Sequence, residues 1–149
     1  MAEHSGSYLV YAGSFDPDDG TCSIQVRDLG SDGSGWPLNP RFDLRRHSPD
    51  GFSWGYGGSG PAQTALAIMA SHLADPKHHG DVMAALGMDA PPSEEDLDGQ
   101  ELHLYLAQRY YQTFKFKVIA AIPMNTDWEL TEEQIAQAII ATIPSAASA

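Results

Sequence analysis

The chain has 149 residues, 42% of them hydrophobic, with a single cysteine and a formal net charge of −12. That length suits one domain burying roughly 68–70% of its unfolded surface, while lone Cys22 excludes both an internal disulfide framework and a multi-cysteine metal site. No apolar run approaches the ~20 residues that span a bilayer, and "MAEHSGSYLV" lacks the basic start and apolar core of a secretory signal, so the expectation is a cytoplasmic protein away from membranes.

Ser7 to Ala12, "SYLVYA", is aromatic and β-branched enough for a strand. Thr21 to Arg27 alternates, with Cys22, Ile24 and Val26 on one face, and reads as a half-buried antiparallel strand. "GSFDPDDG" between them is turn chemistry, which makes the pair a hairpin. Its aspartates do not complete a calcium loop, because the twelfth position counted from Asp16 holds Arg27. After the connector "GSDGSGWP", Arg41 to Arg46 alternates Phe42 and Leu44 with charged neighbours and predicts a third strand.

Ala62, Ala65, Leu66, Met69 and Leu73 recur at helical spacing, and Ile68 off that stripe predicts a helix covered on more than one side, ending before Asp75-Pro76. Residues 77–97 read as an acidic, irregular insertion with a short helical piece around Val82 to Leu86. Asp98-x-x-Glu101 resembles a capping box before a helix marked by Leu102, Leu106, Tyr110 and Phe114. "FKFKV" fits strand or helix, and the spacing of Phe114, Val118, Ala121 and Ile122 favours a helix to about Ala121, stopped by Pro123. Thr131-x-x-Gln134 is a second capping box, with Leu130 placed to staple against Ile135 and a buried stripe of Ile135, Ile139 and Ile143. Residues 144–149 read as a frayed tail. Strands first and helices later predict an α+β fold: a small antiparallel sheet of three to four strands with about three helices on one face.

"GFSWGYGGSGPAQ" contains G-x-G-x-x-G at Gly55, Gly57 and Gly60. A dinucleotide site needs a buried strand before these glycines and a parallel strand after the helix, and "SPDGFSW" and "ADPKHHGD" supply neither. The structural reading fits better. Pro61 suits a first helical turn, Ser59 or Gly60 suits an N-cap, and Gly57 and Gly58 permit a close pass over the sheet. Backbone N–H groups across Trp54, Gly55, Tyr56, Gly57, Gly58, Ser59 and Gly60, with Gln63 nearby, also offer a candidate anion site.

No catalytic set is assigned. Cys22 lies mid-strand, Ser59 lacks the nucleophile-elbow pattern, and His72 and His103 sit on helices where packing or exposure accounts for them. His78-His79 with Asp81 lacks identifiable third and fourth ligands, so no metal and no cofactor is expected.

Three segments, "SPDGFSWGYGGSGPAQTALAIMASHL", "YQTFKFKVIAAIP" and "WELTEEQI", together resemble the family catalogued as domain of unknown function 6166. The resemblance spans Tyr8 to Ile139 and departs at residues 77–97, and at Thr64 and Phe116, where leucine and tryptophan are expected. It implies small bacterial and archaeal proteins met on phages, plasmids and other mobile elements, with Trp54–Pro61 and Gln63 as hallmark positions. It supplies no activity.

The charge carries the functional expectation. Asp89, Glu94, Glu95, Asp96 and Asp98, with Glu132 and Glu133, form acidic faces fit to meet a host protein's basic surface. Such a field repels nucleic acid and attracts what holds it, so no direct nucleic-acid binding is expected. A non-enzymatic mobile-element protein follows, whose most concrete form is an anti-CRISPR inhibitor imitating nucleic acid on a CRISPR effector complex. The alternatives are a phosphate or nucleotide binder or enzyme using the Gly55–Gly60 loop, and an assembly component of a phage or plasmid.

Overall fold

The computed structural model describes residues 9–30, 34–48, 51–87, 94–97, 99 and 101–143. The expected tail at 144–149 lies outside them, as does the start of the expected first strand. Strands β1 (Leu9–Phe15), β2 (Cys22–Asp28) and β3 (Gly35–Pro37) come first, then helices α1 (Ser59–Leu73), α2 (His79–Ala85), α3 (Glu94–Leu97) and α4 (Leu102–Phe114). Strand β4 (Trp128–Thr131) and helix α5 (Glu132–Thr142) close the chain. The sheet is antiparallel with order β3-β2-β1-β4, which makes the fold α+β as the element order predicts.

The hairpin register places Tyr11 opposite Val26 and Gly13 opposite Ile24 on β2, while β4 sets Leu130 opposite Tyr11 and Trp128 opposite Gly13. These side chains share the covered face. Gln25, Arg27, Glu129 and Thr131 fall on the other face and are exposed, so β2 and β4 alternate as strands with one wet side do, while Val10 and Ala12 of β1 on that face are buried. A Cβ on Gly13 would lie 2.2 Å from the Trp128 indole, so the ring folds flat over that glycine. Trp54 meets Trp128 edge to face at 5.3 Å and ties the glycine corner to the sheet.

Helix α1 is the hub of the core. Ala65, Leu66, Ala67, Ile68, Met69 and Ala70 are all 0% exposed, because Tyr11, Ile24 and Val26 of the sheet share one core cluster with them and α4 and α5 pack against the helix. Alanines on so many faces let neighbouring backbones approach closely. The helix is entered through Gly58 as N-cap, which places Ser59 and Gly60 inside the helix, contrary to their expected capping role, and Pro61 in its first turn. Among the described residues no helix is long and apolar enough to cross a membrane.

Several expectations need correction. Arg41 to Arg46 is a turn and not a strand. Arg41 takes φ of 61°, its N–H donates to Asn39 Oδ1 at 2.9 Å, and its guanidinium forks onto Asp43. The third strand lies earlier, in the stretch that reads as a connector. At α4 the N-cap is Glu101 itself, without a side-chain cap bond, so Glu101 does not fill the third helical position, and Asp98 lies outside the described residues. The helix after Phe114 does continue, but through a widened π turn over Lys115–Ile119. The box at α5 forms as expected: Gln134 N–H donates to Thr131 Oγ1 at 3.0 Å and Thr131 N–H to Gln134 Oε1 at 2.9 Å.

Candidate functional site

The glycine corner is held from below and from both sides. Trp54, 1% exposed, donates its indole N–H to the Thr126 carbonyl at 3.0 Å. Gly55 N–H donates to Ile119 C=O at 3.1 Å, at the end of the π turn. Gly55 has φ of +91°, and a Cβ there would lie 2.6 Å from Met124 Cα, so two independent constraints demand glycine. Lys115, 6% exposed, sets its ammonium 3.3 Å from the Gly57 carbonyl and 4.0 Å from the Phe116 ring centroid. Tyr56, Phe116 and Met124 are exposed around this corner.

Gln63 and Thr64 anchor the loops on either side. Gln63 is 0% exposed and its amide is fully engaged. Oε1 accepts from His47 N–H at 2.7 Å and Ser48 N–H at 3.3 Å, while Nε2 donates to the Pro40 carbonyl at 2.5 Å and the Arg45 carbonyl at 3.0 Å. One side chain therefore closes the whole 40–48 turn onto α1. It does not face outward as part of an anion site. Thr64 Oγ1 donates to Ser53 C=O at 2.8 Å and accepts Ser53 N–H at 3.2 Å, a clamp that leucine could not make. Nearby, His47 Nε2 and Tyr111 OH lie 2.5 Å apart.

The acidic residues expected to form one partner-binding face separate into different groups. Asp89 and Asp98 lie outside the described residues, and α3 carries Glu94, Glu95 and Asp96, of which Glu95 is exposed. Glu133 is exposed, but Glu132 is 9% exposed and turned inward, so it is not a surface charge. Its Oε2 meets His78 Nε2 at 2.8 Å and Lys77 Nζ at 3.0 Å, and its Oε1 accepts Leu9 N–H at 3.4 Å. Burial pushes the Glu132 carboxyl up, but hydrogen bonds from Lys77, His78 and the Leu9 N–H outweigh that and hold it below its ordinary value. The His72 ring stacks on His78 with centroids 3.7 Å apart. Burial, with His78 adding to it, drives the His72 imidazole down to about 3, so the ring is neutral.

Exposed acids gather where sequence reading did not place them. The hairpin turn carries Asp16, Asp18 and Asp19, and pairing of β4 with β1 brings Asp127 and Glu129 to the same end of the sheet. Asp16 Oδ1 accepts from Asp18 N–H at 2.9 Å, Asp19 Oδ1 from Thr21 N–H at 3.0 Å, and Asp127 Oδ1 from Phe15 N–H at 2.8 Å. Bonds from the Thr21 hydroxyl and backbone hold the Asp19 carboxyl below its usual range. Asp127 and Glu129 share a groove of about 270 Å³ with Arg27, Ala12 and Ser14 on the open sheet face. The sequence signal was the turn aspartates alone; β4's contribution depends on long-range pairing.

No curated protein and no solved structure matches the chain. Residues 19–86, from the end of the hairpin turn through α2, match the model of a family of unknown function, DUF6166.

Proposed function

We propose that this protein is a non-enzymatic accessory protein of a mobile element that docks an acidic exterior on a basic macromolecular partner of the host cell. An anti-CRISPR inhibitor covering an effector surface that otherwise holds nucleic acid is the most concrete form of that reading. The observation that carries it is the sheet end bearing Asp16, Asp18, Asp19, Asp127 and Glu129, where three of the carboxylates are fixed by backbone N–H groups. Charge set in place before contact loses less ordering entropy on binding than charge on swinging side chains. A fixed negative field also steers a basic partner and repels phosphate competitors. The internal engagement of Gln63, Thr64 and Trp54 supports the same reading, since these groups serve architecture.

The test is capture from a host lysate by wild type and by an Asp16→Asn, Asp18→Asn, Asp127→Asn triple variant, each at low and high salt. The reading expects a partner retained at low salt, released at high salt and lost by the variant. Capture indifferent to both salt and variant would refute it.

A second reading is favoured by Lys115, a buried ammonium against the Gly57 carbonyl at the start of α1. A cation beside the positive end of a helix suits a phosphate-bearing ligand. A thermal-shift screen against nucleotides and sugar phosphates checks it, with a rise that Lys115→Met abolishes as the supporting result.

A further inference from the structure

We propose that the corner between the end of α1 and the start of α5 is a site for one divalent transition-metal ion of the zinc class, ligated by Asp75, His78 and Glu132. Asp75 and His78 stand at the cap and the last residue of one 3-10 turn and Glu132 opens α5, and one ligating atom from each lies within 4.8 Å of the others. Asp75 caps the 3-10 turn Pro76–His78 through Oδ1, which accepts Lys77 N–H at 3.1 Å. Its Oδ2 is directed at the Lys77 ammonium, 3.8 Å away. Glu132 is likewise tethered at Oε1 by the Leu9 N–H, which leaves Oε2 for a cation. Two carboxylate oxygens and one imidazole nitrogen thus surround a position where positive charge is already drawn in, by the ammonium of Lys77.

A second, independent observation comes from His72. It is 3% exposed and its Nδ1 is buried without a hydrogen-bond partner, a state that native interiors avoid. Its ring lies against His78, and both histidines border a cavity of about 10 Å³ together with Asp81, room for roughly one water. A water in that cavity supplies the missing donor to Nδ1 beside the ligand His78. The ligand set decides the class of ion. One imidazole with two carboxylates and water suits zinc and its neighbours, whereas calcium and magnesium favour all-oxygen shells. On binding, the metal takes the place of the hydrogen between His78 Nε2 and Glu132 Oε2, and the Lys77 side chain, 42% exposed, moves aside into solvent.

The experiment uses the full chain, dialysed against chelator and titrated with Zn²⁺ by calorimetry, with Co²⁺ absorption and Mg²⁺ as comparator. The expected result is one Zn²⁺ per chain, a raised melting temperature, and an intense Co²⁺ ligand-field band with Mg²⁺ silent. His78→Ala and Glu132→Gln should each weaken Zn²⁺ by more than about a hundredfold, since ligand loss exceeds the 10- to 100-fold effect of outer-shell changes. Lys77→Met is the decisive variant. It removes a competitor and should tighten Zn²⁺, whereas a merely structural ion pair would only be weakened by it. Circular dichroism establishes that each variant folds, and Lys77→Met keeps both tethered carboxylates. Absence of stoichiometric binding by wild type, binding unaffected by His78→Ala and Glu132→Gln, or weaker binding by Lys77→Met would each overturn the assignment.

Discussion

Replacing Gln63 with methionine removes four hydrogen bonds while conserving length and most of the volume, so the change isolates polar satisfaction from cavity formation. At about 0.5–1.5 kcal/mol for each bond, the full set is worth roughly 2–6 kcal/mol. Arg45 is exposed and Pro40 and His47 are half-buried, so water replaces part of the loss, whereas the buried Ser48 N–H stays without a partner. The expected destabilisation is therefore about 2–4 kcal/mol. Urea unfolding measures it globally, and amide exchange at His47 and Ser48 locates it, because those N–H groups lose their acceptor. Gln63→Glu sharpens the test. It retains the two accepted bonds but turns a carboxylate toward the Pro40 and Arg45 carbonyls, so it should be worse than Gln63→Met at neutral pH and recover as the new carboxyl protonates. A Gln63→Met loss below about 0.5 kcal/mol, the level of ordinary surface changes, with unaltered exchange at His47 and Ser48, would refute the role of this amide as the clamp of the 40–48 turn.

Gly55→Ala combines a left-handed backbone, about 1–2 kcal/mol for a side chain, with a Cβ driven into Met124 backbone, about 1–3 kcal/mol more, so its melting temperature should fall well below that of a surface Gly→Ala control. Tyr11 is 0% exposed with its hydroxyl 2.8 Å from Ser71 Oγ, and burial raises its phenol to about 12 from 10.0. The folded state then holds this proton more tightly than the unfolded one, so the contribution is complete below about pH 10 and is lost as pH rises toward 12, by about 1.4 kcal/mol per unit. Ultraviolet titration of wild type should show a late phenolate step that Tyr11→Phe lacks, and equal curves for the two would contradict it. Thr131→Ala breaks the α5 capping box and should cost about 1 kcal/mol in chemical denaturation, a loss that Thr131→Ser largely restores.

What was legible in the sequence is what depends on neighbours along the chain. The β1–β2 hairpin shows because Ile24 and Val26 alternate with polar residues, and the α5 cap shows because both of its bonds join residues three apart. Phe42 and Leu44 mimic that alternation, but the Asn39 amide oxygen and the Asp43 carboxylate accept from Arg41 locally and win it for a turn. Gln63 stands out in an alanine-rich helix, yet its partners are backbone groups of a distant turn, which carry no side-chain signature. Glu132 looks like a surface acid at the start of a helix, and its burial becomes visible only when the segment around His78 packs over it. The acidic end of the sheet is hidden for the same reason, since Asp127 joins the hairpin aspartates only through the β1–β4 register.

The all-round enclosure of α1 bears on what the matched segment can do by itself. A peptide trimmed to residues 19–86 would keep β2, β3 and α1 but discard β1, one of the two central strands of the sheet, together with β4, α4 and α5. Leu66 and Met69 point to one side of the helix and Ile68 to another, so no single apolar face could shelter them all once those walls are gone. Such a peptide should associate or remain unfolded, because the matched block lacks the walls that enclose α1.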